Sequence, residues 1–306
     1  MISDIDRIRS RPQFFIVGAP KCGTTSMAQY LDQHPEIFVL RGEPHFFGND
    51  IEYNKPRLTA KQYAALCRNT GGKPICGDRS TWYLYARTAA AEIHAHNPHA
   101  RIIAMLRHPA EMLHSLHAHH HQRGQRDNIQ DLGEALAAEP DRRRGERIPA
   151  NARFAESLYY SAIPRYAEQL QRYFDLFGRE RVKVILFDEL KANPGGVYAG
   201  TLEFLGADPE FVADFDVHNA SAPTSNSWLY RRWRASTLRY QVRSLVPQGL
   251  YDSIRGLRRK RLQRAAQREP RAPLDPELRA RLVAQFAPEI DRLEALIGRD
   301  LSAWRR

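Results

Sequence analysis

Short runs of apolar residues alternate along the chain with longer stretches in which apolar residues recur every three or four positions. The apolar runs predict buried strands at 14–17, 37–40, 101–106 and 182–187. The periodic stretches predict helices over 58–68, 84–96, 109–122, 152–176 and 197–205. Strands that alternate with helices are typical of a doubly wound parallel sheet flanked by helices, so we expect an α/β fold.

Two segments interrupt this pattern, and an amphipathic helix ends it. Residues 123–150 combine charge clusters with Gly and Pro, and residues 206–230 are rich in Asp, Asn, Ser and Pro. The final helix is predicted by six apolar residues at three- and four-residue steps: Leu278, Leu282, Phe286, Ile290, Leu293 and Ile297. We expect a single domain over 1–306, with excursions at 123–150 and 206–271 that act as a lid or bind the acceptor.

Composition favours a globular cytoplasmic protein. Of 306 residues, 42% are hydrophobic and 26% are charged, and the absence of an apolar run of ~18 residues argues against a membrane span. The first residues, MISDIDRIRSRPQ, contain no apolar stretch of the kind that a secretory signal needs. Cys22, Cys67 and Cys76 are too few and too scattered for a disulfide framework, which agrees with a reducing compartment.

The positive charge of the chain is concentrated in one segment. The net charge is +11, and residues 228–271 hold 13 Lys or Arg against two acids, which accounts for the whole excess. A single basic segment does not favour a nucleic-acid coat, so we expect no nucleic-acid partner. Contact of 228–271 with an anionic surface and a solvated Arg-rich helix face both stay open.

A glycine-rich loop lies between the first predicted strand and helix, with the sequence GAPKCGTTS over residues 18–26. Exposed N–H groups and the helix dipole at such a turn attract anions, so this is phosphate-loop architecture. In nucleoside triphosphatases a lysine follows the second glycine, whereas here Thr24 holds that place and Lys21 lies inside the loop. The alternative is a tight turn in which the glycines serve geometry alone.

The loop sequence PKCGTTS resembles the 5′-phosphosulfate loop of sulfotransferases that use 3′-phosphoadenosine 5′-phosphosulfate (PAPS). Other stretches support this resemblance. RIIAMLRHP at 101–109, followed by Ser115, resembles the 3′-phosphate element of the family, and EPHFF at 43–47 resembles the E-x-H-F-F stretch of heparan-type and related bacterial members. DRSTWY at 78–83 resembles the [E/D]-K-[ST]-x-x-Y element, and DLSAW at 300–304 resembles the ending of bacterial members.

The chain departs from the family pattern at four positions. His108 and Met112 replace an acid or amide and a second arginine in the 3′-phosphate element, Gly42 replaces a lysine before Glu43, and Arg79 replaces a lysine.

The resemblance implies a P-loop NTPase-like fold and an enzyme that moves a sulfuryl group from PAPS to a hydroxyl, less often an amine. The product nucleotide is 3′-phosphoadenosine 5′-phosphate (PAP), and no metal is required. The residues implied to hold the 5′-phosphate are Lys21, Cys22, Gly23, Thr24, Thr25 and Ser26. Arg107 and Ser115 would hold the 3′-phosphate, because an arginine fork suits a dianion.

Three residues are catalytic candidates. Lys21 can neutralise charge that grows on the bridging oxygen. Glu43 is the favoured general base, because a carboxylate near an apolar wall of Phe46 and Phe47 can have a raised pKa, and His45 is the rival. Arg79 either contacts the sulfonate or the acceptor, or forms a salt bridge with Asp78 or Glu43.

Two other groups of residues imitate metal sites. His114, His117, His119, His120 and His121 crowd one predicted helix, which favours an exposed histidine-rich helix or a wall of the acceptor cleft over a metal site. VKVILFDE at 182–189 imitates an ATPase strand that ends in magnesium-binding acids, but the required Lys-Ser/Thr pair of the loop is missing.

Two alternative functions stay open: an ATP-dependent small-molecule kinase of P-loop type, and a non-catalytic basic module that binds polyanions. The acceptor is a small molecule, a lipid or a saccharide, since loops set this choice and no loop here carries a recognisable code. The sequence does not indicate the oligomeric state.

Overall fold

One parallel sheet organises the described part of this computed structural model, residues 11–122, 126–215 and 273–306. Within those residues it has five strands: β1 (Phe14–Gly18), β2 (Ile37–Val39), β3 (Ile75–Arg79), β4 (Arg101–Leu106) and β5 (Val182–Leu186). Their order across the sheet is β2-β3-β1-β4-β5, and every pairing is parallel. β1 lies at the centre, and all five of its residues are buried, as its apolar sequence requires.

Helices flank this sheet. They are α1 (Thr24–Gln33), α2 (Ala60–Arg68), α3 (Ala89–His96), α4 (Pro109–Gln122), α5 (Leu132–Ala137), α6 (Glu139–Arg143), α7 (Tyr166–Phe177), α8 (Phe187–Ala192), α9 (Pro194–Leu205) and α10 (Pro276–Ile297). Short 3₁₀ turns occur at Ala155–Leu158, Tyr160–Ala162, Arg179–Arg181 and Ser302–Arg305. No helix of the described residues is both long and apolar enough to cross a membrane. The predicted α/β fold with a doubly wound parallel sheet is therefore confirmed.

The four predicted strands are present within one residue of their expected ends, but β3 was not predicted. Its sequence, ICGDR, contains a glycine and two charged residues and lacks the apolar run of a buried strand. It forms because it lies between β2 and β1 and pairs with both. Asp78, in this strand, is fully buried.

Helix boundaries differ from the predictions where local turns compete. The helix expected over 152–176 is wrong before Tyr166, because two 3₁₀ turns occupy that stretch and Pro164 cannot continue a helix backbone hydrogen-bond ladder. The helix expected from residue 84 begins at Ala89. α9 begins three residues earlier than predicted, at Pro194, where Asn193 Oδ1 accepts a hydrogen bond of 2.9 Å from Gly196 N.

The predicted final helix is confirmed as α10. Five of the six residues that predicted it are buried, namely Leu278, Leu282, Phe286, Ile290 and Leu293. α10 packs against α4 and α7. Its buried Glu289 accepts a hydrogen bond of 2.7 Å from Ala167 N, in the first turn of α7, where a negative charge is favourable.

The described part of the predicted 123–150 excursion contains α5 and α6 and a buried ion pair. Arg142 Nη2 lies 2.7 Å from Asp127 Oδ1, and both side chains are 0% exposed. Tyr160 donates a hydrogen bond of 2.8 Å to Asp127 Oδ2. The role of this segment as a lid stays a prediction. Residues 206–215 form neither helix nor strand, and the basic 228–271 segment lies outside the described residues.

Removing one partner of this buried pair leaves the other charge without compensation. We expect Arg142→Met to lower the free energy of unfolding by ~3–5 kcal/mol, measured by denaturant unfolding. Arg144→Met is the matched control, because Arg144 is exposed and pairs with Asp141 at the surface, and it should cost less than ~1 kcal/mol. Equal effects of the two substitutions would contradict this role of the buried pair.

Candidate active site

The loop after β1 places residues 21–26 at the N-terminus of α1. Lys21 (φ 64°) and Gly23 (φ 85°) both adopt left-handed backbone conformations, and such conformations can turn successive N–H groups towards one concave anion site. Gly23 is the cap residue of α1 and has no side chain that could accept hydrogen bonds from the first-turn N–H groups. The loop therefore has the geometry of a phosphate-binding turn.

Two glycines of this loop lie where an added side chain would collide with its neighbours, at Gly18, or crowd them, at Gly23. A Cβ atom on Gly18 would lie 2.8 Å from Leu84 Cβ and 2.9 Å from the Thr81 carbonyl oxygen. A Cβ atom on Gly23 would lie 3.1 Å from carbon atoms of Phe187 and Leu190. The loop is thus packed between the residues that follow β3 and helix α8.

Cys22 contributes backbone rather than a reactive thiol to the loop. Burial raises the pKa of Cys22 to about 12, although Arg107 and Lys21 lie close enough to oppose the shift. The side chain stays protonated and is not a nucleophile at neutral pH.

Arg107 follows β4, the neighbour of β1 in the sheet. Its guanidinium lies 4.7 Å from the ring centroid of Phe187, and its Nη2 atom lies 3.8 Å from Glu111 Oε2. Ser115 lies two turns further on in α4 and is buried. The 3′-phosphate candidates thus lie just after β4, the strand next to β1, in the case of Arg107, and within α4 in the case of Ser115.

Glu43, which follows β2, is joined to the loop by Arg79 at the end of β3. Arg79 Nη1 donates to Glu43 Oε1 at 2.6 Å and to Thr25 Oγ1 at 3.5 Å, and Arg79 Nη2 donates to the Gly42 carbonyl oxygen at 3.0 Å. Of the roles expected for Arg79, the salt bridge with Glu43 is confirmed. Because Thr25 lies in the first turn of α1, this bridge places the carboxylate next to the phosphate loop.

A second arginine approaches Glu43 from a distant part of the chain. Arg153 Nη2 lies 3.1 Å from Glu43 Oε2 and contacts His45 Nε2. His45 Nε2 also lies 3.0 Å from Glu43 Oε2, and Tyr53 Oη lies 3.1 Å from His45 Nδ1. His45 is 1% exposed, whereas Glu43 is 22% exposed. Both ring nitrogens of His45 are thus engaged, and the carboxylate is the more accessible group.

The pKa of Glu43 is lowered, whereas the sequence led us to expect a raised pKa. Burial alone would raise the pKa, but Arg79, the hydrogen bond with His45 and Arg153 together hold it well below the usual range. The expectation of a raised pKa from an apolar wall is therefore wrong. Glu43 is ionised at neutral pH.

His45 is neutral at the same pH. Burial and the nearby Arg153 hold the pKa of His45 well below its usual range, although Glu43 opposes the shift. The two aromatic residues that follow pack away into the hydrophobic core: Phe46 stacks on Tyr63 with 4.2 Å between ring centroids, and Phe47 is buried.

The groups that imitate metal sites make structural contacts. His117 Nε2 lies 2.9 Å from the Ile129 carbonyl oxygen, and no three His, Cys, Asp or Glu side chains in the described residues are grouped to hold a metal ion. After β5, Asp188 Oδ2 accepts a hydrogen bond of 3.3 Å from Trp304 Nε1, and Glu189 pairs with Arg299.

Comparison with known proteins identifies the family. Residues 11–234 match the model of the family described as "Sulfotransferase domain". The chain belongs to the sulfotransferase domain family. The crystal structure of a sulfotransferase from Alicyclobacillus acidocaldarius shares the fold, with a TM-score of 0.72 and 32% identity over 97% of this chain and 99% of that one. The sulfotransferase resemblance and the P-loop-like fold are therefore confirmed.

Two human relatives are sulfotransferases that act on carbohydrate according to their names. Heparan sulfate glucosamine 3-O-sulfotransferase 6 is 33% identical over 207 residues, which are 65% of this chain and 53% of the relative. Carbohydrate sulfotransferase 15 is 29% identical over 152 residues, which are 36% of this chain and 27% of the relative. The chain spans about half the length of the heparan-type relatives that it matches. Family and fold thus indicate an enzyme of the transferase class.

Two residues of the site were not predicted from the sequence. Arg153 lies 110 positions from Glu43, in a stretch that was predicted to be helical and carries no motif. Tyr53 follows the EPHFF stretch in a segment without regular periodicity. Nothing local in the sequence marks either residue, because their role depends on tertiary contacts.

The packing of Gly23 predicts a position-specific effect on turnover. Gly71 is the matched control, because it is also left-handed (φ 65°) but a Cβ atom there would meet nothing within 4 Å. Alanine at either position should cost ~1–2 kcal/mol of backbone strain. We expect Gly23→Ala to lower sulfotransfer turnover ~10-fold or more through displacement of the loop, and Gly71→Ala to leave it nearly unchanged. Equal steady-state rates for the two folded variants would contradict this.

Proposed function

We propose that this sulfotransferase moves a sulfuryl group from PAPS to a hydroxyl group of a saccharide-type acceptor, with an amine as the alternative acceptor group. One observation carries the proposal: an ionised, partly exposed carboxylate, Glu43, is tied by Arg79 to Thr25 at the phosphate loop. A proton acceptor and an anion-binding turn thus adjoin, which is the arrangement that transfer between an anionic donor and a hydroxyl requires. The names of the carbohydrate-acting relatives support a saccharide over the lipid and other small-molecule acceptors.

The residues present fit the two phosphate groups of the donor. The N-terminus of α1, with Lys21, Thr24, Thr25 and Ser26, offers N–H groups, hydroxyls and a cation for the 5′-phosphate. Arg107, just after β4, and Ser115, in α4, would hold the 3′-phosphate. When bound, PAPS supplies the sulfuryl group and a phosphate leaving group.

Each catalytic candidate has a distinct role in this proposal. Lys21 neutralises the charge that develops on the leaving oxygen. Glu43 accepts the proton of the acceptor hydroxyl at its carboxylate, which Arg79 and Arg153 keep ionised. His45 orients Glu43 through the Nε2–Oε2 contact, because its buried ring is engaged on both sides. Independence from a metal and a cytoplasmic location stay predictions.

Nucleotide binding tests the donor assignment. We expect PAP to raise the melting temperature without magnesium, by an amount that grows with ligand concentration. A response to magnesium–ATP alone would overturn the assignment.

Arg107→Ala should weaken PAP binding ~10-fold or more, since a charge-assisted contact to phosphate is lost. Binding of adenosine 5′-phosphate, which lacks the 3′-phosphate, should change little, and an equal loss for both nucleotides would remove Arg107 from the 3′-phosphate site.

The base assignment predicts a specific order of mutant activities. Glu43→Gln keeps the shape of the side chain but no longer accepts a proton, so kcat should fall by ~10²–10⁴ with PAP affinity nearly unchanged. His45→Ala should lower kcat less, because the carboxylate stays in place. The measurement is kcat at saturating donor with an acceptor found by mass spectrometry of sulfated saccharides. A larger loss for folded His45→Ala than for Glu43→Gln would make His45 the base.

A further inference from the structure

The segment from Glu43 to Gly48 forms neither helix nor strand. Its backbone N–H and C=O groups therefore need partners from other parts of the chain. His45, in the middle of the segment, has a left-handed backbone (φ 49°), which is costly for a residue other than glycine. Whatever holds this backbone also sets the position of Glu43.

Hydroxyl groups hold the N–H side of the segment. The His45 N–H donates to Ser80 Oγ at 3.1 Å, and the Phe46 N–H donates to Tyr83 Oη at 3.0 Å. Both hydroxyls in turn donate to the buried carboxylate of Asp78, Ser80 to Oδ1 at 2.9 Å and Tyr83 to Oδ2 at 2.8 Å. Two parallel chains of hydrogen bonds thus join Asp78 to the segment.

Arg57 holds the carbonyl side of the same segment. Its Nη1 atom donates to the carbonyl oxygens of His45 at 2.9 Å and of Phe46 and Phe47 at 3.3 Å. Its Nη2 atom donates to the carbonyl oxygen of Gly48. The backbone is therefore held from both sides, by acceptors on one and by a donor on the other.

The charge of Asp78 determines the direction of the hydroxyl bonds. A serine or tyrosine hydroxyl can donate or accept, whereas an ionised carboxylate only accepts. Beside Asp78, each hydroxyl must turn its proton to the carboxylate and its lone pairs to the N–H groups of the segment. Burial raises the pKa of Asp78 to about 6, although three hydroxyl donors and Arg79 oppose the shift, so the acceptor-only form prevails above that pH.

We propose that Asp78 is a positioning residue for Glu43, acting through the hydroxyl groups of Ser80 and Tyr83 that hold the backbone of the 43–48 segment. The proposal rests on the proposed function of Glu43 as proton acceptor. It gives the Asp, Ser and Tyr of the DRSTWY stretch a defined role at the acceptor side of the site.

Two tyrosines make a matched experiment. Tyr63 Oη also donates to Asp78 Oδ2 at 2.8 Å, and both tyrosines are buried. Substitution by phenylalanine removes the same bond to Asp78 in either case and keeps the ring. Of the two hydroxyls, only that of Tyr83 is also bonded to the 43–48 segment, through the Phe46 N–H.

We expect Tyr83→Phe to lower kcat ~10-fold or more and Tyr63→Phe to lower it less than ~3-fold. Tyr83→Phe should lower the melting temperature more than Tyr63→Phe, because it also leaves the Phe46 N–H without its hydroxyl acceptor. Both variants should bind PAP within ~2-fold of the wild type, since the phosphate loop is not touched. Equal losses of kcat in the two variants, or none in either, would overturn the proposal, because the proposal places the effect in the bond between Tyr83 and the 43–48 segment.

Asp78→Asn provides a second test through the same readouts. An amide can donate to a hydroxyl and so releases its orientation, and we expect a lower kcat with PAP affinity retained. If this variant does not fold, the tyrosine pair still decides. Glu43→Gln distinguishes failure of the proposed base from failure of the Asp78 proposal. A wild-type kcat in Glu43→Gln would contradict the role of Glu43 as base. A reduced kcat in Glu43→Gln together with an unchanged kcat in Tyr83→Phe would contradict the Asp78 proposal alone.

Discussion

A carboxylate that stays ionised in a mostly buried site needs cations beside it, and Arg79 and Arg153 meet this need for Glu43. Arg79 does so from the end of β3, which lies between β2 and β1. This strand order brings the residue after β2 and the loop after β1 to one edge of the sheet, where ligands of open α/β folds bind. A single guanidinium then contacts Glu43 and Thr25 together. The Arg79 guanidinium thus links the proposed proton acceptor, through an ion pair, to the proposed donor site, through a hydrogen bond.

The backbone turn that we propose for the donor could be predicted from the sequence, because its residues are neighbours along the chain. Lys21 and Gly23 follow a buried strand and precede a helix, so local pattern alone defines an anion-binding turn. Arg107 ends an apolar strand in the same way. The periodic residues of α10 likewise predicted a helix that the structure confirms, since an amphipathic pattern needs no knowledge of its partner.

The acceptor side could not be predicted in this way. Its groups are distant in sequence, and Arg153 lies 110 positions from Glu43. The pKa of Glu43 was expected to rise from burial, and the two arginines reverse the direction. β3 was not predicted for a related reason. A charged residue such as Asp78 is typical of an exposed segment, but inside the fold three hydroxyl groups donate hydrogen bonds to this carboxylate. Such compensation is a tertiary property.

A crystal structure with bound PAP tests most directly the central claim that Glu43 and the phosphate loop serve one transfer site. The account predicts the 5′-phosphate within hydrogen-bonding distance, ~3 Å, of Lys21 and the N–H groups at the start of α1. The 3′-phosphate should lie on Arg107 and Ser115, with the Glu43 carboxylate facing the open side of the 5′-phosphate. A nucleotide whose phosphates lie away from the loop, or a 5′-phosphate screened from Glu43 by protein, would contradict the account.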